Sequence, residues 1–184
     1  SMFKNFSPSL FFAMAAITVL IFLPYLMLFQ PIFQSFFFVK PYEQDVFLLN
    51  PINIKLIIAS CLIFGGMFGL LAYKRTKAIY GVTMLLLVIG GATAYYSTQN
   101  YLKISEQQIE RSFFWMNDQY AWTELEEVYY EYVVGSNKGE VKLITKSGDS
   151  FVIKERELNS HAKSYIYRYS NEHGIPYVER EKMD

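Results

Sequence analysis

"GGATAYYSTQNYLKISEQQ", residues 90–108, is where the chain changes solvent. Up to Tyr96 the apolar residues form a nearly unbroken run. Beyond Asn100, Leu102 and Ile104 alternate with Lys103 and Ser105, the period of a half-buried strand. The join divides the chain into a membrane region, residues 1–99, and a water-compatible domain, residues 100–184.

Composition follows the same division. Of 184 residues, 52% are hydrophobic and 18% charged, but the charges are unevenly spread. Residues 1–100 hold six Lys/Arg and two Asp/Glu, and residues 101–184 hold eleven and fifteen, so the formal charge of zero is +4 set against −4. Neither half carries the basic excess that a polyphosphate backbone selects, which argues against nucleic acid as a partner. The lone Cys61 lies in an apolar run with no partner for an intrachain disulfide. Ser1 ahead of Met2 has the look of a residue left by tag removal and is set aside.

Upstream of the join the pattern predicts three transmembrane helices, at about residues 9–29, 54–73 and 78–96. "SLFFAMAAITVLIFLPYLMLF" (9–29) is uncharged and long enough to cross about 30 Å of hydrocarbon. A signal peptide is the competing reading. Its apolar core is shorter, about 7–15 residues, and is followed by a small-residue cleavage site, whereas "QPIFQSFFFV" follows here. Pro24 is a candidate kink. "KRTK" (74–77) allows only a tight turn, so the second and third spans form an antiparallel hairpin. Gly65 and Gly69, and Gly90 and Ala94, are each four apart and are candidate helix-packing positions, although glycine is also simply common in membrane helices. Phe36, Phe37 and Phe38, in an apolar stretch too short to cross, are candidate membrane-interface residues. The apolar centres hold no Asp, Glu, Arg or His, which argues against ion or proton-coupled transport.

The basic loop Lys74, Arg75 and Lys77 favours the cytoplasm, which would place the C-terminal domain outside a bacterial inner membrane. The flank count is balanced, with Lys4 on one side and Lys40, Lys55, Lys103 and Arg111 on the other.

Downstream, alternation predicts six short strands. Leu102 and Ile104 mark the first. Ile109, Arg111, Phe113 and Trp115 share a face of the second, "MNDQ" is read as a turn, and Tyr120 and Trp122 form a short third. Val128, Tyr130, Tyr132 and Val134 share a face of a longer strand, and Val141, Leu143, Phe151 and Ile153 point inward from a hairpin turned at "KSGD". Ser160 is read as the cap of a helix whose buried face is Ala162, Tyr165, Ile166 and Tyr169, ended by Gly174. The fold expected is a small antiparallel β-barrel or sheet closed by one C-terminal helix.

Chemistry is sparse. His161 and His173 match no metal motif, no cofactor is implied, and "GSNKGE" lacks the spacing of a phosphate loop. Glu124, Glu126, Glu127 and Glu131 read first as a solvated face. Tyr129 and Tyr167, expected to be exposed, join Glu124, Glu127 and Glu131 as candidate contacts for a protein partner.

The run "YLKISEQQIERSFFWMNDQYAWTELEEVYYEY", with "VKLITKSGDSFVIK" and the terminal helix, resembles bacterial pleckstrin-homology-like domains, including the YcxB-like branch that follows membrane helices. Trp122, Leu125 and Val128 occupy that family's aromatic-x-x-(Leu/Ile)-x-x-Val junction. The resemblance covers about residues 100–174. It implies a barrel used mainly for binding and assembly and supplies no activity, since fold does not fix function, and it implies a cytoplasmic domain, contrary to the loop charges. The protein expected is a non-enzymatic integral membrane scaffold, regulator or immunity factor that meets the lipid bilayer and a membrane or peripheral protein; a lipid- or peptide-binding receptor is the alternative.

Overall fold

A computed structural model describes residues 7–37, 46–136 and 138–182, with backbone alone at Pro31 and at 33–37. The chain forms two compact units: residues 1–40 with 51–99, and residues 41–50 with 100–184.

The first unit holds three helices long and apolar enough to cross a membrane: α1 (Pro8–Phe37), α2 (Ile52–Tyr73) and α3 (Lys77–Tyr96). The helix α1 runs unbroken through Pro24. Its large apolar side chains, among them Phe11, Ile17, Ile21 and Leu28, are exposed, as a lipid-facing helix requires. Between helices the contacts are those that hold in lipid, close backbones and buried hydrogen bonds. Ser60 donates to the Gly90 carbonyl at 2.9 Å. Gln30 donates to the carbonyl of Ser97, just past α3, at 2.7 Å. The Thr76 hydroxyl caps α3 by accepting from the Ile79 amide.

The second unit contains β1 (Val46–Leu49), β2 (Tyr101–Ile104), β3 (Gln108–Phe113), β4 (Met116–Ala121), β5 (Leu125–Tyr132), β6 (Glu140–Thr145), β7 (Ser150–Lys154), α4 (Ser160–Glu172) and β8 (Tyr177–Glu181). They make two four-stranded sheets, ordered β1-β2-β3-β4 and β7-β6-β5-β8. The expected barrel is not closed: among the described residues no strand of one sheet pairs with a strand of the other. Neither is the arrangement wholly antiparallel, since β8 returns beside β5 in parallel.

Two strands lie beyond the alternation pattern. One, β1, falls between the first two spans and pairs antiparallel with β2, Leu49 opposite Tyr101 and Val46 opposite Ile104. The Asn50 amide donates to the Asn100 carbonyl at 3.1 Å. The α2–α3 pair is therefore inserted into the turn of a β-hairpin. If α2 and α3 both cross the bilayer, these two crossings leave both of its strands on one side.

The turn read at "MNDQ" is displaced. Those residues begin β4, and the chain reverses at Phe114 and Trp115, between the paired Phe113 and Met116. Trp122 leaves strand geometry for a single 3-10 turn, Trp122–Glu124, that carries the chain from the first sheet to the second. Trp122 is fully buried, its indole nitrogen donating to the Ser105 carbonyl at 2.8 Å. Leu125 and Val128 are buried with it. The core continues through Ile104, Ile109, Val141, Leu143, Phe151 and Ile153 to the face of α4 formed by Ala162, Ile166 and Tyr169. The cap of α4 is Asn159, not Ser160: its side chain accepts from the Ala162 amide at 2.7 Å. Gly174, at φ 67°, ends the helix in the left-handed region that glycine tolerates.

Candidate functional site: the outer face of the second sheet

A register shift between Leu125 and Glu127 leaves Leu125 and Val128 both buried, and from Glu127 onward side chains alternate, so Val128 and Tyr130 face the core while Glu127, Tyr129 and Glu131 face away. The parallel partner β8 sets Val178 beside Tyr129 and Arg180 beside Glu131. The Arg180 guanidinium lies 4.2 Å from the Tyr129 ring centroid, and its Nε donates to Glu131 at 2.7 Å. The Tyr129 hydroxyl donates to Glu127. This Glu127 contact holds the Tyr129 phenol above its ordinary pKa, and Arg180 holds the Glu131 carboxyl below its own. A tyrosine, an arginine and two carboxylates are thus fixed around an exposed valine, Val178 at 43%. Such a patch offers a flat aromatic contact with pre-aimed charge.

The other candidate residues lie elsewhere. Glu124 is exposed and accepts from the Ala121 amide at 3.1 Å, a local cap of the 3-10 turn. Tyr167 projects from α4, half-exposed, with its ring edge-on to Tyr177 at 5.2 Å. His173 caps α4, its Nδ1 2.9 Å from the Tyr169 carbonyl, and His161 packs edge-on to Tyr165. Among the described residues no group of three His, Cys, Asp or Glu could hold a metal ion. The membrane-interface candidates Phe36 and Phe37 fall where backbone alone is described, and Phe38 lies outside the described residues.

The helix-packing candidates separate too. A methyl added at Gly90 would meet the Phe64 ring at 3.1 Å and Ile63 at 3.2 Å, so α2 and α3 approach there as closely as glycine permits. At Gly65 it would make an ordinary 3.5 Å contact with Leu20. Gly69 is open, with nothing within 4 Å, and Ala94 is half-buried.

Two polar clusters carry no motif. Glu155, just beyond β7, accepts from Lys163 of α4 at 2.6 Å and from the Tyr130 hydroxyl at 3.0 Å. Arg111 of β3 donates to Asp118 at 3.1 Å and to the Val152 carbonyl of the other sheet at 2.9 Å, with its guanidinium 4.3 Å over the Phe151 ring. Tyr130 lies 25 residues from Glu155 and Arg111 lies 41 from Val152, so no short sequence window displays either cluster whole. The only cue was Arg111 on a strand face otherwise apolar.

Fold and surface together describe a chain with three helices long and apolar enough to cross a membrane and a two-sheet unit whose second sheet carries an ordered cluster of tyrosine, arginine and carboxylates. No family model matches this chain, and a search of curated proteins finds no relative.

Proposed function

We propose that this protein is a non-enzymatic scaffold or regulator of a bacterial inner membrane, which holds a pleckstrin-homology-like domain at the bilayer and offers the outer face of its second sheet to a protein partner. The observation that carries this reading is the ordered cluster Glu127, Tyr129, Glu131 and Arg180. A tyrosine stiffened by a stacked arginine loses little entropy on contact, and Tyr and Arg dominate the energetics of protein interfaces. The link from Tyr96 to Asn100 is too short to let the domain wander, which raises the effective concentration of any partner in the same membrane.

The basic 74–77 loop favours an external domain. With Cys61 replaced, a cysteine at the exposed Lys138 would then react with an impermeant thiol reagent on intact cells. A photo-crosslinker at Val178 in the full-length protein should capture a partner, and Tyr129→Ala with Arg180→Glu should abolish the adduct at unchanged expression. An adduct indifferent to both changes would remove the basis for this reading.

A lipid- or peptide-binding receptor draws less support. In the sheet unit the cavity beside Arg111 holds about 10 Å³ and an open one at Lys138, Glu140 and Lys182 about 270 Å³, against roughly 300–1,000 Å³ for small-molecule sites; a larger open groove of about 810 Å³, lined by Phe11, Phe12, Met14 and Phe68, lies on α1 and α2, on apolar helix faces that acyl chains would cover.

A further inference from the structure

The turn between β3 and β4 is built from the wrong residues for water. Tight hairpin turns favour Asn, Asp and Gly, because the first central residue commonly needs a positive φ. Here that residue is Phe114, at φ 55°, followed by Trp115. Trp115 is 78% exposed and Met116 52%, while Phe113 and Phe114 are half-buried with their rings 4.8 Å apart. From Ser112 to Asn117 the chain has no charge, and the flanking Arg111 and Asp118 are paired to each other.

Covalent connectivity bounds how far this tip can lie from the helix ends. The Phe114 amide donates to the side chain of Asn100 at 2.7 Å, and Asn100 is fully buried. Asn100 lies four residues beyond the last residue of α3, a reach of at most about 14 Å. Asn50, bonded to Asn100 through the backbone, lies two residues before α2, at most about 7 Å of chain. Two spans thus end within a short tether of one aromatic turn. The end of α3 is itself marked by Tyr95 and Tyr96, residues of the kind that collect at headgroup depth.

We propose that the Phe113–Met116 turn is a bilayer-interface anchor: Trp115, with Phe114 and Met116, enters the headgroup–acyl boundary of the membrane that the chain's own helices cross, and so fixes the sheet domain at the lipid surface. Tryptophan suits that depth because its ring is apolar while its N–H is a donor. The anchor rests on α1–α3 being membrane spans. It is independent of any partner at Tyr129, whose crosslink reports on a different face.

The test uses the full-length chain in phosphatidylcholine vesicles with nitroxide quenchers at a shallow or a deep acyl position. The protein has two tryptophans, and Trp122 is fully buried, so the fluorescence lost on Trp115→Phe belongs to Trp115. That component should be quenched more by the shallow nitroxide than by the deep one and little by aqueous iodide, and the shallow quenching should be lost in the variant. Quenching by iodide alone, stronger quenching by the deep probe, or protection from all three would each overturn the proposal. If Trp115→Phe disturbs the fold, Met116→Cys on a Cys61→Ser background, carrying an environment-sensitive dye, gives the same three-way reading.

Discussion

Gly139 shows how one missing side chain supports a network. It is buried in the connection between β5 and β6, and its carbonyl accepts from the Glu155 amide at 2.8 Å. A methyl there would overlap the Glu155 carboxylate and come within 2.9 Å of the Tyr130 hydroxyl. The carboxylate cannot swing aside freely, because Lys163 and Tyr130 both hold it. Gly139→Ala should therefore lower stability by about 1–3 kcal/mol, the range for overpacking, read as an earlier thermal transition of the full chain in detergent. The same network sets a pH dependence. Lys163 holds the Glu155 carboxyl below its ordinary 4.5, and Glu155 holds the Lys163 ammonium above its ordinary 10.5. The carboxylate's contribution is complete above pH 4.5 and is lost as pH falls through the lower folded value; the ammonium's is complete below pH 10.5 and is lost as pH rises past the higher one. Glu155→Gln should flatten the acid limb of the stability profile and Lys163→Met the alkaline limb, both followed by near-ultraviolet circular dichroism. The two side chains are 23% and 28% exposed, so added salt should weaken both effects.

At the scale of elements, Arg111 joins the two sheets where strand pairing does not. Removing it strips a donor from the Val152 carbonyl and leaves Asp118 without its cation, and Arg111→Ala should cost about 1–3 kcal/mol. Arg111→Lys should restore little of this, because an ammonium cannot reproduce a planar fork that reaches a carbonyl and a carboxylate while lying on the Phe151 ring. Chemical denaturation of the three proteins decides the ranking. Elements also show which parts of the fold were legible in sequence. The hairpin β6–β7 was readable because Val141 and Leu143, then Phe151 and Ile153, recur at every second residue on either side of the "KSGD" turn, and all four are buried. The 3.6-residue period likewise marked the buried face of α4. The strand β1 was not readable: "VFLL" is apolar throughout and shows no period, and its partner lies about fifty residues on. The exposed edge strand β8, "YVERE", has a polar composition that a helix end followed by proline passes off as a tail. The β3–β4 turn was misplaced because "MNDQ" has turn composition while Phe114 and Trp115 do not. Of the candidate contact residues, the alternation of β5 brought Glu127, Tyr129 and Glu131 to one face, but Arg180, which organises them, comes from the strand that was missed.

At the scale of the molecule, the water-facing unit is discontinuous, and a fragment beginning at Asn100 lacks one of its strands. Residues 100–184 expressed alone should expose the β2 edge and the side chains of Leu102 and Ile104 that Val46 and Leu48 help to cover. A chain in which residues 46–50 lead through a short turn directly to Asn100 should be more stable and less prone to aggregate, because Asn50 and Asn100 are already hydrogen-bonded neighbours. The two denaturation midpoints, measured side by side, test this; equal midpoints would mean that β1 contributes nothing.

The same interruption makes the sheet answerable to biogenesis. The ribosome releases β1 before it has made α2 or α3, so this strand must wait for its complement until both helices have been threaded. Should only one of them enter the lipid, the two strands would be stranded in different compartments and the domain would remain open. Completion of the second unit would thus depend on both helices having been threaded alike.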